Sequence, residues 1–183
     1  MIDFRTDLAD ERRDIYKKAN KLEDEVPGIE TEQNVFGENV KTSRVKIVNE
    51  EGEKALGKPK GIYITIDVKN LKIAQEEEIQ KAGEVVTNEL KRLISDHIGK
   101  EDDILVVGLG NAYVTPDSLG PKVVSYIDVT RHLLKYAPQY LEPGTRPVSA
   151  ISPGVLGTTG IETLEIIKGI VDNVKPKMVI VID

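Results

Sequence analysis

Two kinds of hydrophobic pattern alternate along this chain and predict an α/β fold. In residues 62 to 68 the aliphatic side chains occupy every second position, with Tyr63, Thr65 and Asp67 between them. This alternation is typical of a half-buried strand. Residues 104 to 107 are instead continuously apolar, as expected for a central parallel strand that is covered on both faces.

Between these strands the apolar residues recur at helical spacing. The clearest predicted helix spans residues 75 to 98 and begins with three glutamates, which complement the helix dipole. A second helix is predicted over residues 121 to 136. A third is predicted from a capping box of Thr159 and Glu162 to about Val174, before Pro176.

Further short strands are predicted at residues 44 to 48, 147 to 151 and 178 to 183, with a turn-rich stretch up to residue 61. The order of strands and helices from residue 62 onward implies right-handed crossovers and a mostly parallel sheet between helices. We therefore expect one α/β domain with a three-layer sandwich. Residues 5 to 26 are densely charged and predict a solvated helix, a weakly anchored leader that Pro27 and Gly28 end.

Composition narrows the functional classes. The chain has 183 residues, a net charge of −6 and no cysteine. No basic stripe is present, so nucleic acid is an unexpected partner. No apolar run approaches a membrane span, and the missing cysteines exclude thiolate catalysis and cysteine-ligated metals. We expect a cytoplasmic protein with a core of aliphatic residues.

A glycine-rich turn, Gly108-Leu109-Gly110-Asn111, follows the apolar strand at residues 104 to 107. It suggests dinucleotide binding, but that fingerprint needs a third glycine where this chain has Tyr113. The next helix also begins several residues too late to hold a pyrophosphate. Nucleotide or phosphate binding therefore stays an alternative.

Asp117 lies in the same loop and permits two interpretations. Either Asp117 or Ser118 caps the following helix, which spacing alone favours, or Asp117 presents a carboxylate at the carboxyl end of the sheet. Asp183 would be presented from the end of another strand, where open α/β sheets place functional groups. Two such acids can share a proton and activate water. Because the chain stops at this position, we expect a truncated sequence.

Four segments together carry a specific resemblance. They are GLGNAYVTPDSLGPKVV from residue 108, VTRHL from 129, RPVSAISPGVLGTTGIET from 146 and KPKMVIVID from 175. The chain resembles the germination protease family, the spore endopeptidases that degrade small acid-soluble spore proteins. The match runs almost the length of the chain and is weakest between residues 12 and 100.

The resemblance implies a fold similar to that of the hydrogenase maturation endopeptidases, which is phosphorylase/hydrolase-like. The two functional aspartates of the family match Asp117 and Asp183. The maturation enzymes have matching residues at the positions of Gly108, Gly110, Asn111, Asp117 and Gly120. In those enzymes the acid that matches Asp117 is a metal ligand. This chain has Pro116 where they have a second acid, so we expect no metal and no other cofactor.

The resemblance further implies a zymogen that cleaves its own Asp7-Leu8 bond, so that residues 1 to 26 are a propeptide-like leader and 27 to 183 the protease domain. It also implies a homotetramer in the cytoplasm of the spore core. Backbone N–H groups near Gly108, Gly110 and Asn111, or near Gly154 and Gly157, are the candidates for stabilising an oxyanion. An inactive fragment of the protease is the other alternative. His132 is expected to have a packing or surface role.

Overall fold

The computed structural model describes residues 4 to 183, and the first three residues of the predicted leader lie outside them. The described residues form two compact units, residues 4–92 and 93–183. The α-helices are α1 (Ala9–Asn20), α2 (Glu50–Leu56), α3 (Glu76–Ser95), α4 (Leu119–Ser125), α5 (Arg131–Tyr136), α6 (Leu156–Thr159) and α7 (Thr163–Val174). The strands are β1 (Ile29–Phe36), β2 (Val40–Ile47), β3 (Gly61–Val68), β4 (Ile104–Gly108), β5 (Val148–Ile151) and β6 (Met178–Ile182).

The first unit is built on an antiparallel sheet of three strands in the order β1-β2-β3. The central strand β2 is covered on both faces, since side chains point alternately to opposite sides of a strand. Val45 and Ile47 pack with Ala55 and Leu56 on one side. Val40 packs with the α3 residues Ala82 and Val85, so each face of β2 has its own apolar cluster.

Helix α1 is more firmly anchored than the charged sequence predicts. Ala9 and Val26 are both buried in the cluster around Leu56, and α1 packs against α2, β2 and β3. The expected weak anchoring of residues 5 to 26 is therefore wrong for these side chains, because few but well-placed apolar residues suffice to bury one side of a helix. The division into a leader and a protease domain stays a prediction.

The second unit holds a parallel sheet of three strands in the order β5-β4-β6. All five residues of β4 are buried, which confirms the central strand that the continuous apolar run predicts. The flanking strands are only partly covered.

Residues 4 to 183 thus form an α/β structure with two sheets, one antiparallel and one parallel. The expectation that residues 62 to 68 begin the parallel sheet is wrong, because β3 pairs antiparallel with β2. The strict alternation in β3 already differed from the continuous pattern of β4, and alternation is the usual signature of an antiparallel strand. Sequence analysis also missed β1 and α2.

Two helix predictions need correction. Residues 121 to 136 do not form one helix, since α4 ends at Ser125 and α5 begins at Arg131. The capping box of Thr159 and Glu162 does not form. Helix α6 ends at Thr159, whose hydroxyl accepts a hydrogen bond from the Ile161 N–H. The prediction of α3 is confirmed to within a few residues.

Candidate active site

The turn that follows β4 is attached directly to the end of β6. Gly108 lies opposite Ile182 in the parallel ladder, and the Leu109 N–H donates a 2.7 Å hydrogen bond to the Ile182 carbonyl. Because β4 is the central strand, its carboxyl end lies between those of β5 and β6. The turn therefore begins at the middle of this edge of the sheet.

Asp117 folds back onto the glycine turn. The Asn111 N–H donates to the Asp117 carboxylate at 2.8 Å and to the Asp117 carbonyl at 2.9 Å. Gly110 has φ +108°, and a Cβ there would lie 2.1 Å from the Asp117 carbonyl oxygen. Only glycine accepts both this backbone conformation and this approach. The backbone of the turn therefore holds the Asp117 carboxylate in place.

Gly120 joins three segments at one point. A Cβ on Gly120 would lie 2.3 Å from the Leu109 carbonyl oxygen and 2.5 Å from the Ile182 carbonyl oxygen. On the other side of this contact, a Cβ on Gly108 would lie 2.2 Å from the Gly120 carbonyl oxygen. The start of α4, the turn after β4 and the end of β6 thus meet in direct backbone contact, which we call the glycine junction.

The glycine junction relates the two candidate aspartates. Asp117 immediately precedes Ser118 and the start of α4, and Asp183 immediately follows Ile182 at the end of β6. Both side chains are exposed. Neither carboxylate forms an ion pair with a lysine or arginine within residues 4 to 183. The structure thus brings both backbones to one edge of the sheet and leaves both carboxylates accessible.

The interpretation of this loop as a helix cap is correct for the position of Ser118 but wrong for the hydrogen bonds of the side chains. Ser118 occupies the position before α4, yet no side chain caps the helix there. The Ser118 side chain is buried and its hydroxyl donates to the Thr115 carbonyl at 3.0 Å. The Asp117 carboxylate accepts from the turn rather than from α4, so the cap does not account for it.

The same hydrogen bonds bear on nucleotide binding. A phosphate-binding turn needs backbone N–H groups that point at the ligand. In this turn the N–H groups of Leu109 and Asn111 are bound to Ile182 and Asp117. The 3-10 turn Thr115–Asp117 also separates the glycines from α4. Both features argue against a nucleotide or phosphate in this turn.

The second glycine loop follows β5 at the same edge of the sheet. Gly154 has φ +79°, and Gly157 lies in α6 with nothing within 4 Å of the position that a Cβ would take. Several N–H groups of this loop are bound within it, including those of Val155 and Thr158. The structure thus places Gly154 and Gly157 on the side of β4 opposite to β6.

The predicted cleavage site lies in the first unit, just before α1. Leu8 has an extended backbone, with φ −74° and ψ 127°. Its side chain is 44% exposed, and that of Asp7 is 97% exposed. The Asp7-Leu8 bond is therefore accessible to solvent in an extended segment.

Other candidate features lie away from these segments. His132 is exposed on α5 and lines a cavity of about 360 Å³ with Asp103 and Pro147. These two residues precede β4 and β5, so the cavity lies at the amino ends of the strands. Within residues 4 to 183 no three acidic or histidine side chains converge as metal ligands. None of the helices described is both long and apolar enough to cross a membrane.

Sequence analysis missed the contact between Gly120 and Ile182 that joins the two aspartate-bearing segments. Spacing identifies the glycines, but it does not show which backbone each one touches. The available signal was the glycine three residues after Asp117, at the point where α4 crosses the sheet.

Comparison with known proteins agrees with the resemblance over the whole chain. The sequence profile described as "Germination protease" matches residues 6–183. A germination protease of Caldanaerobacter subterraneus subsp. tengcongensis is 50% identical over 183 residues, covering 100% of this chain and 54% of the relative. For a Clostridium perfringens germination protease the identity is 46%, with 100% of this chain and 55% of the relative covered.

A Clostridium acetobutylicum germination protease is 43% identical over 184 residues, again covering 100% of this chain and 55% of the relative. The chain thus spans about half the length of the curated relatives it matches. The profile match and the high identity lead to the same conclusion: this chain belongs to the germination protease family.

Proposed function

We propose that this chain is part of an endopeptidase that degrades small acid-soluble spore proteins during germination. Membership of the germination protease family supports the class of reaction. The observation that carries the assignment to a site is the glycine junction, where Gly120 contacts both Leu109 and Ile182. It gives the loop of Asp117 and the strand of Asp183 a common anchor.

The proposed reaction uses Asp117 and Asp183 to activate water. One carboxylate takes a proton from a water that attacks the scissile carbonyl. The other aspartate is protonated, polarises that carbonyl and then protonates the leaving amine. Like charges held close disfavour double ionisation, which supports one shared proton. No covalent acyl-enzyme is formed in this scheme.

The developing oxyanion needs N–H donors that are not already used. The N–H groups of Leu109 and Asn111 in the first turn are bound, as are those of Val155 and Thr158 in the second loop, so the N–H groups of Gly154 and Gly157 are the better candidates. We therefore assign oxyanion stabilisation to backbone N–H groups near Gly154 and Gly157, and we assign Gly108, Gly110 and Asn111 to positioning Asp117.

Self-processing at Asp7-Leu8 belongs to the same proposal. A protease binds its substrate as an extended strand, and the exposed, extended backbone at Leu8 suits such binding. The family resemblance supports a zymogen and a homotetramer in the spore. Light scattering of the purified protein would measure the assembly, and a monomeric mass would contradict the tetramer.

The central experiment replaces each aspartate by asparagine. Because the chain spans about half of each relative, the assay compares the chain alone with a chimera that adds the remaining residues of the Caldanaerobacter relative. We expect Asp117→Asn and Asp183→Asn each to abolish cleavage of a spore-protein peptide by the chimera. Asp172→Asn, which alters an exposed carboxylate of α7, is the matched control and should cleave normally.

Thermal unfolding and circular dichroism establish that each variant is folded. Turnover retained in both aspartate variants would exclude the two-aspartate mechanism. If neither the chain nor the chimera cleaves the peptide, the alternative of an inactive fragment or scaffold gains support.

A further inference from the structure

Arg12 connects the residues before α1 to the rest of the first unit. Its Nε donates a 2.7 Å hydrogen bond to the Thr6 carbonyl, and its Nη2 lies 3.2 Å from the Asp7 carboxylate. The guanidinium also lies 5.1 Å from the centre of the Phe4 ring. One side chain therefore contacts three of the residues that precede the predicted cleavage bond.

The other side of the same guanidinium binds the end of α2. Arg12 Nη1 donates to the Leu56 carbonyl at 3.0 Å and to the Gly57 carbonyl at 3.2 Å. These carbonyls belong to the terminal turn of α2, where orphan acceptors need donors. Leu56 is in the core, so this end of the contact is fixed.

Arg12 itself is largely buried, with its side chain 15% exposed, whereas that of Asp7 is 97% exposed. The segment from Phe4 to Asp7 thus lies on the surface and is held from beneath by Arg12. Within residues 4 to 183, two hydrogen bonds join this segment to side chains of α1, and Arg12 donates both of them. Proteolysis of a folded protein requires the cut segment to detach from its surroundings.

We propose that Arg12 is a positioning residue that controls access to the Asp7-Leu8 bond. While its guanidinium is bound to Thr6, Asp7 and the end of α2, the bond is exposed but cannot move into a protease cleft. Release of these contacts frees the segment for cleavage. This role in self-processing rests on the proposed function, but access to the bond can be measured separately.

The planar guanidinium is necessary because it donates in several directions at once. A lysine at this position keeps the charge but cannot reach the Thr6 carbonyl, Asp7 and the α2 carbonyls together. A positive charge at position 12 is therefore not sufficient to hold the segment. This difference separates the proposed role from a general effect of charge on α1.

The test is limited proteolysis of this chain by an added glutamyl endopeptidase that also cleaves after aspartate. Mass spectrometry follows cleavage after Asp7 and, as an internal reference, after the exposed Asp128, which lies between α4 and α5. We expect Arg12→Gln to raise the ratio of the first rate to the second about tenfold, since hydrogen bonds to charged groups are the stronger ones. Arg12→Lys should raise the ratio by a similar factor.

Arg13→Gln is the matched control. Arg13 is the next residue of α1, equally buried, and pairs with Asp14 and Glu25 instead. It should leave the ratio unchanged. Phe4→Ala, which removes only the ring beside the guanidinium, should raise the ratio about threefold and provides a variant that leaves α1 intact.

An unchanged ratio in Arg12→Gln, or an equal rise in Arg13→Gln, would overturn the proposal. A wild-type ratio in Arg12→Lys would overturn the requirement for a guanidinium. If the ratio changes as expected but the chimera never processes itself, the positioning role stands and the proposed self-processing fails.

Discussion

The two units contain sheets of equal strand number that are covered to different extents. In the first unit both faces of β2 are buried, by clusters around Leu56 and around Val85. In the second unit full burial of the sheet is confined to β4, and Val179 and Val181 on β6 are exposed. Buried apolar side chains are thus concentrated in the antiparallel unit, while the candidate catalytic residues lie in the less covered parallel unit.

The difference shows where tight packing is used in the second unit. None of the described residues of α7 is fully buried, but the glycine junction around Gly120 allows no added atom. Close packing there is local and concerns backbone segments that carry Asp117 and Asp183. The closest backbone packing described for the second unit is therefore at its candidate site.

The largest expected effect is the loss of a core side chain from the first unit. Leu56 has 0% exposure, so Leu56→Ala should lower the free energy of unfolding by about 2–5 kcal/mol. Val181→Ala is the counterpart on β6, where the side chain is 53% exposed, and should change it by less than about 0.5 kcal/mol. Urea denaturation, with hydrogen exchange of β2 and β4 peptides, measures both. Equal losses would contradict the contrast in burial.

The second prediction compares an ion pair in each unit. Arg44 and Glu89 lie 3.2 Å apart with side chains only 9% and 14% exposed. Glu89→Gln removes one carboxylate from this largely buried pair and should cost about 3 kcal/mol. Asp103→Asn alters the exposed pair with Arg131 at 3.8 Å and should cost less than about 1 kcal/mol.

Replacing Arg44 and Glu89 together provides the control for that comparison. Arg44→Met combined with Glu89→Leu removes both charges and should recover most of the stability lost in Glu89→Gln. Urea unfolding midpoints of the single and double variants measure the recovery. A double variant as unstable as Glu89→Gln would show that the buried charge is not the cause.

The third prediction tests whether the glycine junction is the tight part of the second unit. Gly120→Ala puts a Cβ against the Leu109 and Ile182 carbonyls and should cost about 1–3 kcal/mol. Gly169→Ala lies in α7 with nothing within 4 Å of the new atom and should gain about 0.5–1 kcal/mol. Hydrogen exchange of β4 and β6 measures both variants. Tolerance of Gly120→Ala would contradict the junction.

Hydrophobic periodicity correctly predicted the elements with the most regular burial patterns. Helix α3 and strand β4 were predicted because one buries a stripe and the other both faces. Strand β1 was missed because most of its side chains are polar and its pairing with β2 forms through a turn at Gly37. Helix α2 was missed because it is short and begins with charged residues, although Asn49 caps it.

At the candidate site, sequence identified Asp117 and its glycines but not how they are joined. The hydrogen bond from Asn111 to Asp117 is local and follows from the turn. The contact of Gly120 with Ile182 joins segments that are far apart in the sequence, and no local pattern encodes it. The break between α4 and α5 has the same origin, since Thr130 there accepts a hydrogen bond from the Val148 N–H of β5.

The smallest expected effect concerns a polar contact at the rim of the first unit. Hydrogen bonds from the Asn34 amide and then from Arg92 are the largest causes that lower the pKa of Glu32 below its usual 4.5. A carboxyl whose pKa is lower in the folded state stabilises the fold above its unfolded pKa. This contribution is lost as the pH falls through the folded pKa.

Glu32→Gln should therefore reduce the loss of stability between pH 5 and pH 3, by a small amount because the side chain is 43% exposed and solvent screens its charge. Urea midpoints across this pH range, with NMR titration of the Glu32 carboxyl, measure the effect. Glu30→Gln is the control, since Glu30 lies on the same strand and pairs with Lys46 at 2.9 Å. An identical pH profile in wild type and Glu32→Gln would show that this polar contact adds nothing to the stability of the first unit.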